Sequence, residues 1–172
     1  MNLVLIGYRG TGKSRVGRVL AQRLGMSRVA MDDEIELKAG KTTPEIVAQW
    51  GWPKFRDLET EVARELAGRD GLVIDTGGGV IERPENMEVL SANALVVWMR
   101  ASVETIVSRI QGGTNRPALV DGKSFTEEVS EVLERRTPLY QKAAHVEIDT
   151  DGLAPDEIAR RIMVAWRERV GN

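Results

Sequence analysis

The chain has 172 residues, of which 42% are hydrophobic and 29% charged, with a formal net charge of −2 and no cysteine. These values fit one globular domain with a substantial core, exclude disulfides and thiolate metal sites, and leave no basic surface of the kind that grips nucleic acid. No apolar run approaches the roughly 20 residues that span a bilayer, and the chain enters a strand at once. No membrane contact and no signal peptide are therefore expected, and the reducing cytoplasm is the expected compartment.

Leu3 to Ile6 reads as a buried strand, and Gly7-Tyr8-Arg9-Gly10-Thr11-Gly12-Lys13-Ser14 follows it directly. Residues 7–14 thus form G-x-x-x-x-G-K-S between a strand and a helix. The glycines let backbone N–H groups curl around phosphate oxygens, Lys13 brings charge to the terminal phosphates, and the Ser14 hydroxyl suits Mg²⁺. The helix that begins near Lys13 aims its positive end at the same anion. Gly10, Thr11, Gly12, Lys13, Ser14 and Arg15 are the expected nucleotide contacts, with Ser14 as the metal ligand. A bare glycine turn would explain the loop but not the lysine, the serine or the preceding strand.

Val16, Leu20 and Leu24 share a helical face, and Arg28 to Met31 reads as a short strand. Residues 32–67 are charged and mostly helical. Leu72 to Ile74 is a further strand, closed by Asp75-Thr76 and Gly77-Gly78-Gly79. Leu95 to Trp98 is another, followed by a helical stripe at Val103, Ile106, Val107 and Ile110. Residues 111–124 lack a period and hold three glycines and a proline, so they read as a long loop, a lid candidate beside a phosphate site. Phe125, Val129, Val132 and Leu133 form the next stripe. His145 to Ile148 is a weaker strand, and Ile158, Ile162 and Trp166 lie on the last helix. Strand–helix alternation predicts an α/β fold, three layers with a parallel sheet of about five strands.

Asp32-x-x-Ile35-Glu36, Gly51-x-x-x-Phe55-Arg56-x-x-Glu59, Gly77-Gly78-Gly79, Arg116-Pro117 and Arg136-x-Pro138-Leu139-Tyr140 occur in that order. With the phosphate loop they resemble the shikimate kinases across nearly the whole chain. The resemblance implies a P-loop NTPase fold with a helical substrate-binding insertion at about 32–67 and a lid at about 111–124, within a single domain spanning 1–172. It implies transfer of the γ-phosphoryl of ATP to the 3-hydroxyl of shikimate, with Mg²⁺ as cofactor, in a monomer. Arg56 and Arg136 match the arginines that grip the substrate carboxylate, and arginine's planar fork suits a carboxylate. Glu59 matches a residue that orients Arg56. Gly77, Gly78 and Gly79 match the backbone that approaches the substrate. Asp32 matches the carboxylate that orients the attacking hydroxyl, and it also reads as an N-cap for a helix over 33–39. Arg116 matches the lid arginine on the phosphates. Arg109 and Pro155 match the adenine site.

Two positions depart from the family pattern. Ala30 stands where the first aspartate of D-x-D helps to hold Mg²⁺ through water, and Asp75 is the candidate replacement. Trp52-Pro53 follows Gly51, where the family usually carries a glutamate at 52. Two other readings stay open from the residues: a P-loop kinase for another acceptor, such as gluconate or a nucleoside monophosphate, and a weakened nucleotide-binding module.

Overall fold

The protein is described by a computed structural model, which covers residues 1–110, 122 and 124–171. Arg116 and most of the expected lid lie outside the described residues. The elements run β1 (Asn2–Ile6), α1 (Lys13–Leu24), β2 (Ser27–Ala30), α2 (Met31–Ala39), α3 (Thr43–Ala67), β3 (Leu72–Asp75), a 3₁₀ turn (Val80–Glu82), α4 (Pro84–Ser91), β4 (Ala94–Arg100), α5 (Val103–Ile110), α6 (Phe125–Ala143), β5 (Val146–Asp149) and α7 (Pro155–Val170). The strands form one parallel sheet in the order β2-β3-β1-β4-β5.

The apolar strand runs follow from burial on both faces. Alternate side chains of one strand enter different cores: Val4 and Ile6 pack beneath α3, α4 and Tyr140 of α6, while Leu3 and Leu5 pack beneath α1 and α7. Trp98 and Met99 of β4 divide in the same way. A third, smaller cluster joins Tyr8 to Ile106, Val129 and Val132, and so ties the phosphate loop to α5 and α6.

Because all strands run parallel, their carboxyl ends share one edge, where ligands of open α/β sheets sit. Residues 7–12 leave β1 there, Asp32 follows β2, and Asp75 to Gly79 leave β3. Thr76 fastens that edge, since its N–H and its hydroxyl both donate to the Leu5 carbonyl, at 3.2 and 2.8 Å.

Strand ends differ slightly from the sequence reading. β2 stops at Ala30, because Met31 already starts α2 with its side chain fully buried. The N-cap of α2 is therefore Ala30, and Asp32 lies in the first turn instead of capping. There its charge still complements the helix dipole. His145 sits just before β5 and extends the ladder: its N–H donates to Val96 O at 2.9 Å, and its Nδ1 accepts from Val96 N at 3.0 Å. Within α3, Gly51 adopts φ 80° and ψ 168°, and Pro53 follows, so the chain turns sharply there. That turn redirects Trp52, Phe55 and Arg56.

Candidate active site

The phosphate loop arises from β1 and ends on α1. Gly7, Gly10 and Gly12 all have positive φ, so the loop folds back on itself. The Thr11 hydroxyl braces it by donating to Tyr8 O at 3.0 Å. Gly12 caps α1 with no side-chain hydrogen bond, so no side chain at the cap competes with an anion for the first N–H groups of the helix. Lys13 Nζ lies inside the loop, donating to Gly7 O at 2.7 Å and Tyr8 O at 3.0 Å.

A cleft of about 450 Å³ opens beside it, lined by Gly10, Gly12, Lys13, Ser14 and Arg15 of the loop and helix, Asp32 of α2, and Asp75, Gly77 and Gly78 of β3 and its turn. Five cations (Arg9, Lys13, Arg15, Arg18, Arg28) face three acids (Asp32, Asp33, Asp75), a local balance of 5 − 3 = +2 in a chain of net −2. A polyanion is favoured locally although the whole protein is acidic. Arg15 and Arg18 also line a second cleft of about 410 Å³ with Val19, Ala154, Pro155 and Asp156. The phosphate cleft and Pro155 therefore share a wall. Arg109, in the last turn of α5, donates to Gly10 O at 3.1 Å and lines neither cleft.

At the far side of the first cleft, two arginines distant in sequence meet the glycine run. A Cβ on Gly79 would lie 2.3 Å from Arg56 Nη2, and one on Gly78 would lie 3.3 Å from Arg136 Nη1. The missing side chains are thus the space that two guanidinium groups use. Arg56 donates to Glu59 Oε1 at 2.9 Å, and Glu59 is fully buried. Its guanidinium also lies 5.3 Å from the Trp52 ring centroid and 5.4 Å from that of Phe55. Arg136 is buried. It donates from Nε to Glu82 Oε1 at 2.8 Å and stands 5.7 Å from the Tyr8 ring. Burial pushes the Glu82 carboxyl up, but the bonds from Arg136 and Arg135 outweigh it and hold Glu82 below the ordinary range. Tyr140, one helical turn after Arg136, donates its hydroxyl to Gly78 O. Burial raises the phenol's pKa strongly, so Tyr140 stays a neutral donor.

The first turn of α1 and the carboxyl end of β3 together supply a pair of hard oxygen groups. Ser14 Oγ donates to Asp75 Oδ2 at 2.6 Å. Among the described residues no three His, Cys, Asp or Glu side chains gather as a metal cage. A hydroxyl and one carboxylate beside a phosphate cradle suit Mg²⁺, which keeps several waters and takes its other ligands from phosphates.

A sequence model of the shikimate kinases matches residues 9–167. The chain belongs to the shikimate kinase family. It is 41% identical to the shikimate kinase of Thermodesulfovibrio yellowstonii, over 99% of this chain and 97% of the relative. It is 40% identical to that of Symbiobacterium thermophilum, over 98% of each. Among solved structures, the Acinetobacter baumannii shikimate kinase in complex with shikimate is 37% identical, with a TM-score of 0.92, covering 98% of this chain and 93% of that one.

Sequence reading quoted Tyr140 within the motif after Arg136 but gave it no role, and gave none to Arg28 or Glu82. Tyr140 had a signal, since it stands four residues after Arg136 and so on the same helical face. Arg28 had a weaker one, two residues before Ala30 on one strand face. Glu82 had none, because only the fold brings the 3₁₀ turn against α6.

Proposed function

We propose that this chain transfers the γ-phosphoryl group of ATP to the 3-hydroxyl of shikimate, yielding shikimate 3-phosphate and ADP on the route to chorismate and the aromatic amino acids. The observation that carries this reading is the meeting of Arg56 and Arg136 on Gly78 and Gly79 at the rim of the phosphate-loop cleft. Two planar forks held by buried or partly buried acids are prepared to take a carboxylate, and the triphosphate end lies across the same cleft.

The reaction is one in-line displacement without a covalent intermediate. Phosphoryl transfer has a loose transition state, so positioning and charge matter more than a strong base. Lys13 and the N–H groups at the start of α1 hold the phosphates. Asp32, half-buried in the cleft, orients the attacking hydroxyl. Arg56, Arg136 and the Gly77–Gly79 backbone fix the ring. Ser14, backed by Asp75, would hold Mg²⁺, which when bound neutralises charge on the β- and γ-phosphates. Arg15 and Pro155 flank the adenine side, with Arg109 behind the loop. Arg116 enters only by its place in the sequence, as the lid cation over the phosphates. A single domain, with residues 32–67 as the substrate arm and 111–124 as the lid, completes the reading. It is read as a cytoplasmic monomer, in which every group invoked comes from one chain.

A coupled assay of ADP release tests it. ATP and Mg²⁺ with shikimate should give turnover that gluconate and a nucleoside monophosphate do not. Equal rates with all acceptors, or ATP binding without turnover, would overturn it.

A further inference from the structure

Asp75 Oδ2 accepts two bonds. One comes from Ser14 Oγ at 2.6 Å and the other from Arg28 Nη2 at 2.7 Å. Asp75 is buried and Arg28 largely so, with side-chain exposures of 7% and 21%. Arg28 reaches this point from β2, lying along α1 where Gly17 leaves room: a Cβ there would touch its Nε at 3.4 Å. Ala30, two residues on and on the same strand face, is the register partner of Asp75 and carries no charge. The charged β2 side chain at Asp75 is thus a cation, and it lines the phosphate cleft.

Guanidinium is a donor only, so Oδ2 is the acceptor in its bond to Arg28. A carboxylate oxygen that accepts from Arg28 also accepts from Ser14. The Ser14 hydroxyl then has its one hydrogen committed to Asp75, and only lone pairs remain for the cleft. We infer that Arg28 is a positioning residue of the phosphotransfer site, which fixes Asp75 so that the Ser14 oxygen faces the cleft purely as a ligand. Its second effect is electrostatic: it offsets the Asp75 charge, weakens the pull on a free divalent cation, and leaves cation binding more dependent on nucleotide phosphates. The inference rests on the reading of Ser14 as the metal-facing hydroxyl.

The test uses Mn²⁺ as probe in the presence of ADP, with its dissociation constant read from water-proton relaxation. Unaltered chain, Arg28→Met and Arg28→Lys are compared, together with kcat and melting temperature. Loss of the positive charge in Arg28→Met should tighten Mn²⁺ about tenfold, while the loosened hydroxyl lowers kcat by about tenfold or more. Arg28→Lys, which keeps a cationic donor, should return Mn²⁺ affinity to near that of the unaltered chain and recover part of kcat. Opposite movement of cation affinity and turnover is what a merely structural residue would not give. Unchanged Mn²⁺ affinity and kcat in Arg28→Met, or a fall in both alongside a lower melting temperature, would overturn the inference. Failure of the unaltered chain itself to bind Mn²⁺ with ADP would overturn the Ser14 reading as well, and is told apart by appearing before any substitution.

Discussion

Gly79→Ala is the most specific perturbation the geometry offers. Its Cβ would lie 2.3 Å from Arg56 Nη2 and 2.4 Å from Nη1, whereas ordinary contact begins near 3.4 Å. The guanidinium must retreat by 3.4 − 2.3 = 1.1 Å or more. It is the far end of a flexible side chain, so the backbone need not move. The retreat strains the 2.9 Å bond to buried Glu59 and removes the fork from its prepared place. Hydrogen bonds between charged groups contribute about 1.5–3 kcal/mol each, so losing the arginine's grip should raise KM for shikimate by about 10- to 150-fold. KM for ATP should stay within about twofold, because the phosphate loop is untouched. Steady-state kinetics with each substrate varied in turn reads both. Equal rises in the two KM values, or an unchanged KM for shikimate, would refute the reasoning.

Other substitutions probe neighbouring links. Tyr140→Phe leaves the buried Gly78 carbonyl without this donor and should destabilise the protein by about 1–3 kcal/mol, read from the urea midpoint at constant m; an unchanged midpoint would mean another donor takes over. Glu82 has a depressed pKa in the folded state, so its stabilising effect is full above its ordinary value of 4.5 and is lost as pH falls through the lower folded value. The stability gap between the unaltered chain and Glu82→Gln should therefore be widest above pH 4.5 and narrow below it, and a gap that widens toward acid would contradict the Arg136–Glu82 pairing. Ala30→Asp adds a carboxylate opposite Asp75 and should lower the Mg²⁺ concentration for half-maximal rate by about 3- to 10-fold; no change would mean that Asp75 already fills the role.

Much of the fold was legible because the strands bury both faces. Leu3 to Ile6 and Leu95 to Trp98 carry no polar interruption, and such runs between helical stripes leave a parallel sheet as the economical solution. The phosphate loop was legible because its chemistry is local, from Gly7 to Ser14. The proposed substrate end was readable only as an ordered set of motifs, since Arg56 and Arg136 meet through tertiary structure. What escaped has physical reasons. Met31 joined α2 because burial outweighed its strand-like setting, and this moved the cap to Ala30. The pairing of Arg28 with Asp75 depends on strand register, which a sequence of short apolar runs does not specify.

The most direct measurement is calorimetric titration of shikimate and of ADP into the unaltered chain and Arg56→Ala. The account predicts that shikimate affinity falls by about tenfold or more, while ADP affinity stays within about twofold. Equal losses for both ligands, or shikimate binding that survives the substitution, would contradict the convergence of acid-gripping arginine and phosphate cradle on one cleft.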